Sequence, residues 1–320
     1  MKTQLVAAAF ILALGLSSTE VKAATLAEEF QQTLNRMSRV GNDSPVAYPA
    51  CLKRYQEIQK DGVLNIVFGL GYSDGTPDKY VYELAFAELF IRALTQPRCP
   101  VGLNACGFTR STTDAGLFSK TITNTAGKPL KVELRLVTGS LSVDNDWNTS
   151  AANLARQTAH CKAAGETFNK AIADGAEMVV YAGHARDGAG PDFCPPVKAA
   201  DGHTDYDWYH QNKIGKSRML SAMQATATAG KPTQVVGMMA CYTRKHFEKN
   251  LKAVLPKAAL IGTDVGPMLS ETYYYATGLI DSVLGMRCQE KMRNALNAFS
   301  SHAVMVNVFN TGVVPGTRPR

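Results

Sequence analysis

The sequence predicts an α/β protein, a mostly parallel sheet sandwiched between layers of helices, with a helix-rich portion leading into it. Three observations carry this prediction. From residue 130 onward, apolar runs of strand length alternate with helical patterns. The runs are continuously apolar, as strands covered on both faces must be. The chain, with 320 residues, 45% of them hydrophobic and 19% charged, has enough apolar side chains for a substantial core.

Taken in order, the first residues carry Lys2, an apolar stretch from Leu5 to Leu16 and a small-residue end at Val21-Lys22-Ala23. That is the layout of a signal peptide spanning residues 1–23 and cut after Ala23, which predicts an exported, periplasmic or secreted protein. The stretch is shorter than the roughly 20 residues a bilayer span needs, and no later apolar run approaches that length, so no membrane span is predicted. Residues 24–125 read as the helix-rich portion. Leu26, Phe30, Leu34 and Met37 recur at helical spacing and stop before Gly41. Residues 64–77 read as a strand and turn, and 78–95 as a helix opened by Pro77 and Asp78. A joining segment at 122–128 leads into the α/β domain, 126–320. Strands are predicted at 130–139, 176–183, 233–240 and 258–266, and helices at 149–172, 217–229, 242–255 and 271–285.

The formal net charge of +7 is spread along the chain without a polybasic block or interleaved aromatics, which excludes a nucleic-acid groove as the leading expectation. The seven cysteines, at 51, 99, 106, 161, 194, 241 and 288, all lie beyond the signal, in a chain bound for an oxidising compartment. An odd number leaves at least one thiol over. Cys99 and Cys106 are close enough for a small bridged loop, Cys161 and Cys194 are expected as partners, and Cys241 is expected to be the leftover thiol.

Two motifs are set aside. Gly69, Gly71 and Gly75 follow a strand pattern, but the last glycine is one position late for a dinucleotide fingerprint and Pro77 intervenes, so a simple turn is predicted. Cys194 with His203 and His210, or His160 with Cys161, lack the compact paired spacing of a zinc site. No metal or cofactor is predicted.

The remaining constellation is His184 with Cys241. Each lies at the carboxyl end of an apolar strand, where ligands of parallel sheets bind. A cysteine nucleophile needs a base within reach and N–H groups aimed at the developing oxyanion, and two neighbouring strand ends can supply both. The helix predicted after Cys241 would favour its thiolate. His246, five residues further along that helix, is expected on another, solvated face.

A strand ending in "GH", a glycine-rich loop, a helix, and a strand ending in "AC" with a small hydroxyl residue beyond it together resemble the caspase-like cysteine peptidases, the group that includes legumains, gingipains, metacaspases and separases. The resemblance covers about 130–285 and rests on the two short motifs and their order. It implies a caspase-like α/β/α sandwich, His184 as acid–base group, Cys241 as nucleophile, a thioester intermediate, and a peptide or protein substrate. It also implies an oxyanion hole from the N–H groups of Cys241 and of the residue after the histidine. The family usually has glycine there and this chain has Ala185, which can serve if its φ is negative. Asp187 and Asp192 in the loop after His184, and Asp264 past the next strand, are candidates to select a Lys or Arg side chain of the substrate. Two alternatives accompany this reading. One is a non-catalytic secreted or envelope binding protein of the same fold. The other resembles the NlpC/P60 cell-wall peptidases and pairs Cys241 with His302, at the head of a strand pattern over 301–309.

Overall fold

The computed structural model of the protein describes residues 18–44, 47–75 and 79–306. Most of the predicted signal peptide and the end of the last strand pattern lie outside them. The leading portion contains α1 (Ser18–Ser38), α2 (Pro49–Ile58), β1 (Val63–Leu70), a two-stranded ribbon of β2 (Asp74–Gly75) and β3 (Tyr80–Val81), and α3 (Tyr82–Thr95). Next come β4 (Thr109–Arg110), β5 (Leu117–Thr123), β6 (Pro129–Thr138), α4 (Asn145–Thr149), α5 (Leu154–Ala173) and β7 (Met178–Ala182). The chain continues through α6 (Tyr206–Asn212), α7 (Ile214–Thr228), β8 (Val235–Met239) and α8 (Thr243–Val254). It ends with β9 (Ala259–Thr263), α9 (Leu269–Leu284), α10 (Gln289–Leu296) and β10 (Ala303–Val306).

Eight strands form one mixed sheet in the order β10-β9-β8-β7-β1-β6-β5-β4. The five central strands, β9 to β6, run parallel, whereas β5 and β10 pair antiparallel with their neighbours. Every residue of β7 and β8 is buried, which is why their sequences are unbroken apolar runs. One face carries a core of Phe30, Phe86, Tyr273 and Leu279 from α1, α3 and α9, and the other a core of Phe168, Met219, Met223 and Phe247 from α5, α7 and α8. The protein is therefore an α/β sandwich with a mostly parallel sheet.

The separation of 24–125 from 126–320 does not describe how the sheet is built. β1 lies at its centre, bonded to β6 on one side and β7 on the other, so the leading portion shares both sheet and core with the rest of the chain. The run at 64–70 reads as a strand, but its partners are remote in sequence and nothing local names them. α3 begins at Tyr82, after Tyr80 and Val81 have paired with β2, later than the predicted opening, and Pro77 and Asp78 lie outside the described residues. α9 is buried from Glu271 to Leu284, a core helix wedged between the sheet and α1, α3 and α10.

Disulfides join Cys51 to Cys288, Cys99 to Cys106 and Cys161 to Cys194, and Cys241 is the free cysteine. Such bonds persist in oxidising compartments and are compatible with an exported chain. Among the described residues, no helix is long and apolar enough to cross a membrane.

Candidate active site

β7 and β8 are adjacent and parallel, with Ala182 opposite Met239, and the Gly183 N–H continues the pairing by donating to the Met239 carbonyl at 3.1 Å. His184 and Cys241 thus leave neighbouring strands at one edge of the sheet. The backbone turns at Gly183, whose φ is +152°, and a Cβ there would sit 3.0 Å from the Cα of Gly71 at the end of β1. Glycine is needed at that point because two backbones meet.

Beyond it, the chain folds into a tight loop. The amides of Gly188 and Gly190 both donate to the Ala185 carbonyl, at 2.9 and 3.0 Å. Ala185 is buried with φ −72°, an ordinary conformation for alanine, and among the described residues its own N–H donates no backbone hydrogen bond. Arg186 and Asp187 carry the reversal in the left-handed region, at φ 46° and 48°. The fully buried Tyr181 hydroxyl fastens the loop, lying 3.0 Å from the His184 carbonyl and 3.1 Å from that of Asp192, and accepting from the Asp192 N–H at 3.0 Å. Burial holds this phenol above its ordinary pKa, so it stays a neutral donor.

Cys241 is placed by two buried threonines. Thr263 Oγ1 donates to the Ala240 carbonyl, Thr243 Oγ1 donates to the Met238 carbonyl at 2.7 Å, and the Thr263 N–H donates to Thr243 Oγ1 at 2.8 Å. Tyr242 then turns through the left-handed region at φ 50°, its N–H donating to the Val265 carbonyl at 2.9 Å, and α8 begins at Thr243. The half-buried thiol packs close to Gly266, where an added Cβ would lie 3.6 Å from the sulfur. Burial pushes the Cys241 pKa up, partly offset by its own backbone N–H. At neutral pH the group is a thiol, so attack needs a base to remove its proton.

The three aspartates occupy different surroundings. Asp192 is committed to the loop: Oδ2 accepts from buried Arg186 at 3.1 Å and from the Tyr209 hydroxyl at 2.8 Å, and Oδ1 accepts from the Cys194 N–H at 3.1 Å. Asp187 is partly exposed between two histidines, bonded to His210 Nε2 through Oδ2 and 3.2 Å from His246 Nε2 through Oδ1. The hydrogen bond with His210 holds its carboxyl below the ordinary range. Asp264 lies at the surface, 3.3 Å from Arg244.

His246 departs from expectation. Its side chain is only 14% exposed, and the histidine loop folds over it so closely that a Cβ on Gly188 would lie 2.9 Å from Nδ1. The helical offset from Cys241 places it on another face, but that face is covered by a loop far away in sequence. His302 is exposed just before β10, whose first residue Ala303 pairs with Thr263 of β9, and β10 lies two strands from β8, about 9–10 Å across the sheet at ordinary strand spacing. Of the residues set aside as zinc candidates, Cys161 and Cys194 form the expected disulfide and His210 bonds to Asp187.

Tyr181, Thr243 and Thr263 shape the candidate site without being singled out by the sequence, and Gly71 enters the sequence reading only as a turn glycine. Their signal is weak: a tyrosine in an apolar strand, threonines at strand and helix ends, and a glycine in an apparent turn. No family model, curated protein or solved structure matches the chain.

Proposed function

We propose that the chain is an exported cysteine endopeptidase of caspase-like architecture, working through a His184/Cys241 dyad. The observation that carries the reading is that the one cysteine of seven left out of a disulfide ends a strand directly beside the strand that ends at His184. His184 takes the thiol proton as Cys241 Sγ attacks the scissile carbonyl carbon. The oxyanion is held by the N–H groups of Cys241 and Ala185, and negative φ at Ala185 removes the need for glycine there. His184 returns the proton to the leaving amine, a thioester remains on Sγ, and a water activated by His184 hydrolyses it. Asp187 and Asp264 remain open to solvent beside His210 and Arg244 and are the carboxylates proposed to attract a basic substrate side chain, whereas Asp192 is mostly enclosed against Arg186. His302, a strand further from Cys241 than His184, is assigned no catalytic part.

A second reading, a binding protein that keeps the fold without turnover, draws on the raised pKa of the Cys241 thiol. Labelling of the mature protein with a cysteine-directed peptide probe, together with turnover of a peptide library, separates the two. Probe attachment at Cys241 that disappears on unfolding, and a loss of about 10²–10⁴-fold in His184→Ala, are expected. His302→Ala should retain its rate, and Ala185→Gly should equal or exceed the parent. Loss at His302 but not His184 would transfer the assignment to a cell-wall peptidase. No turnover in any variant, glycine included, would favour the binding protein.

A further inference from the structure

Away from the dyad, residues of α5, α6, α7 and the 189–198 segment line a groove of about 770 Å³, within the range of sites that hold ligands. Its lining is more apolar than polar, and Leu154 and Ile214 are left 46% and 42% exposed. Three cations on its lining, Lys162, Lys198 and Arg218, form no ion pair among the described residues, and only Glu166 opposes them, since Asp192 is held by Arg186. Asn169 adds a specific demand. Its Nδ2 donates to the Gly165 carbonyl at 2.7 Å, which fixes the amide orientation, while its buried Oδ1 has no donor. A buried acceptor without a donor is costly, and a ligand carrying an N–H would relieve that cost.

We propose that this groove binds an extended peptide segment bearing apolar side chains and at least one Asp or Glu. Apolar side chains would cover Leu154, Trp208 and Ile214, the carboxylate would meet the uncompensated cations, and a backbone N–H would satisfy Asn169 Oδ1. A fatty acid shares the first two features but has no N–H to offer. Ala189, Pro191 and Phe193 belong both to the groove and to the loop that begins at His184, so an occupant would press on that loop directly.

The test uses the full chain carrying Cys241→Ser, so binding is read without turnover and neither proposal can fail on account of the other. A randomised pool of acetylated, amidated octapeptides is passed over the immobilised protein and the retained peptides are sequenced by mass spectrometry. Their affinities are then measured from Trp208 fluorescence in a Trp147→Phe background. Enrichment of acidic and apolar residues is expected, with at least tenfold weaker binding in Ile214→Glu and in Arg218→Glu. Both positions are exposed, so the variants should keep the parent's thermal midpoint, and Lys162→Glu serves in place of either that does not. Asn169→Leu should weaken binding several-fold. Absence of retained peptides, retention without acidic residues, retention that survives the substitutions, or a Trp208 response to dodecanoate alone would each overturn the proposal.

Discussion

Glu83 illustrates what one residue can hide. In sequence it is an acidic residue in the first turn of a helix, an ordinary solvated position. In the fold it is fully buried, accepting from the Ser73 N–H and Oγ at 3.0 Å each and from Ser140 Oγ. Ser73 follows Tyr72, whose carbonyl accepts from Arg186 of the histidine loop, so the carboxyl anchors the segment beneath the site. Burial raises its pKa to about 7, and the hydrogen bonds from Ser140 and Ser73 only partly oppose this. Between its ordinary value and about 7, the folded protein holds a proton that the unfolded chain has released. Stability therefore falls as pH rises through that window, by on the order of 3 kcal/mol, and the loss is complete above it. Urea denaturation at pH 5 and pH 8 should show this fall in the parent, and a much flatter profile in Glu83→Gln. Equal pH dependence in the two proteins would mean that Glu83 is ionised when buried.

At the scale of elements, the end of β1 and the loop after β7 depend on each other. Gly71 donates its N–H to the Ala182 carbonyl at 2.8 Å, and a Cβ on it would lie 2.0 Å from the Tyr181 hydroxyl and 2.6 Å from the Asp192 carbonyl. The glycines of "FGLG" are thus explained by close approach of side chain and backbone, rather than by the turn predicted from sequence. Gly71→Ala should cost about 1–3 kcal/mol through forced overpacking. Tyr181→Phe removes the oxygen that the new methyl meets, so in a double-mutant cycle the pair should cost less than the sum of the singles. Additive costs in thermal or denaturant unfolding would place the strain elsewhere. The strand at 64–70 was legible from its apolar run, and so were the strands ending at Gly183 and Ala240. The contact between β1 and the histidine loop was not, because residues 71 and 181–192 are far apart in sequence.

Over the whole molecule, the Cys51–Cys288 bridge ties α2 to the start of α10 across 237 residues. Beside it Arg287 and Asp281, both 0% exposed, form a buried ion pair. Arg287 also donates to the carbonyls of Gly41 and Gly102, at 2.9 and 2.7 Å. Removing the bridge with Cys51→Ala and Cys288→Ala should lower stability by about 3–5 kcal/mol, as expected for a cross-link closing so long a loop. Reductant should then have a smaller effect on the variant than on the parent. An unchanged denaturation midpoint would mean that the buried ion pair and the packing of α9 suffice without it.

By itself the sequence determined the alternation of strand and helix, the two-sided burial of the strands, the surplus of at least one thiol among seven and the strand-end positions of His184 and Cys241. These follow from local hydrophobic period, cysteine count and the rule that parallel strands need covered faces. Only the tertiary structure decided that β7 lies beside β8, that β1 runs through the middle of the sheet, that His246 is covered and that Asp192 is already engaged. Strand order and side-chain pairing are set by contacts between residues distant along the chain, and hydrophobic period records which face of an element is buried without recording what buries it.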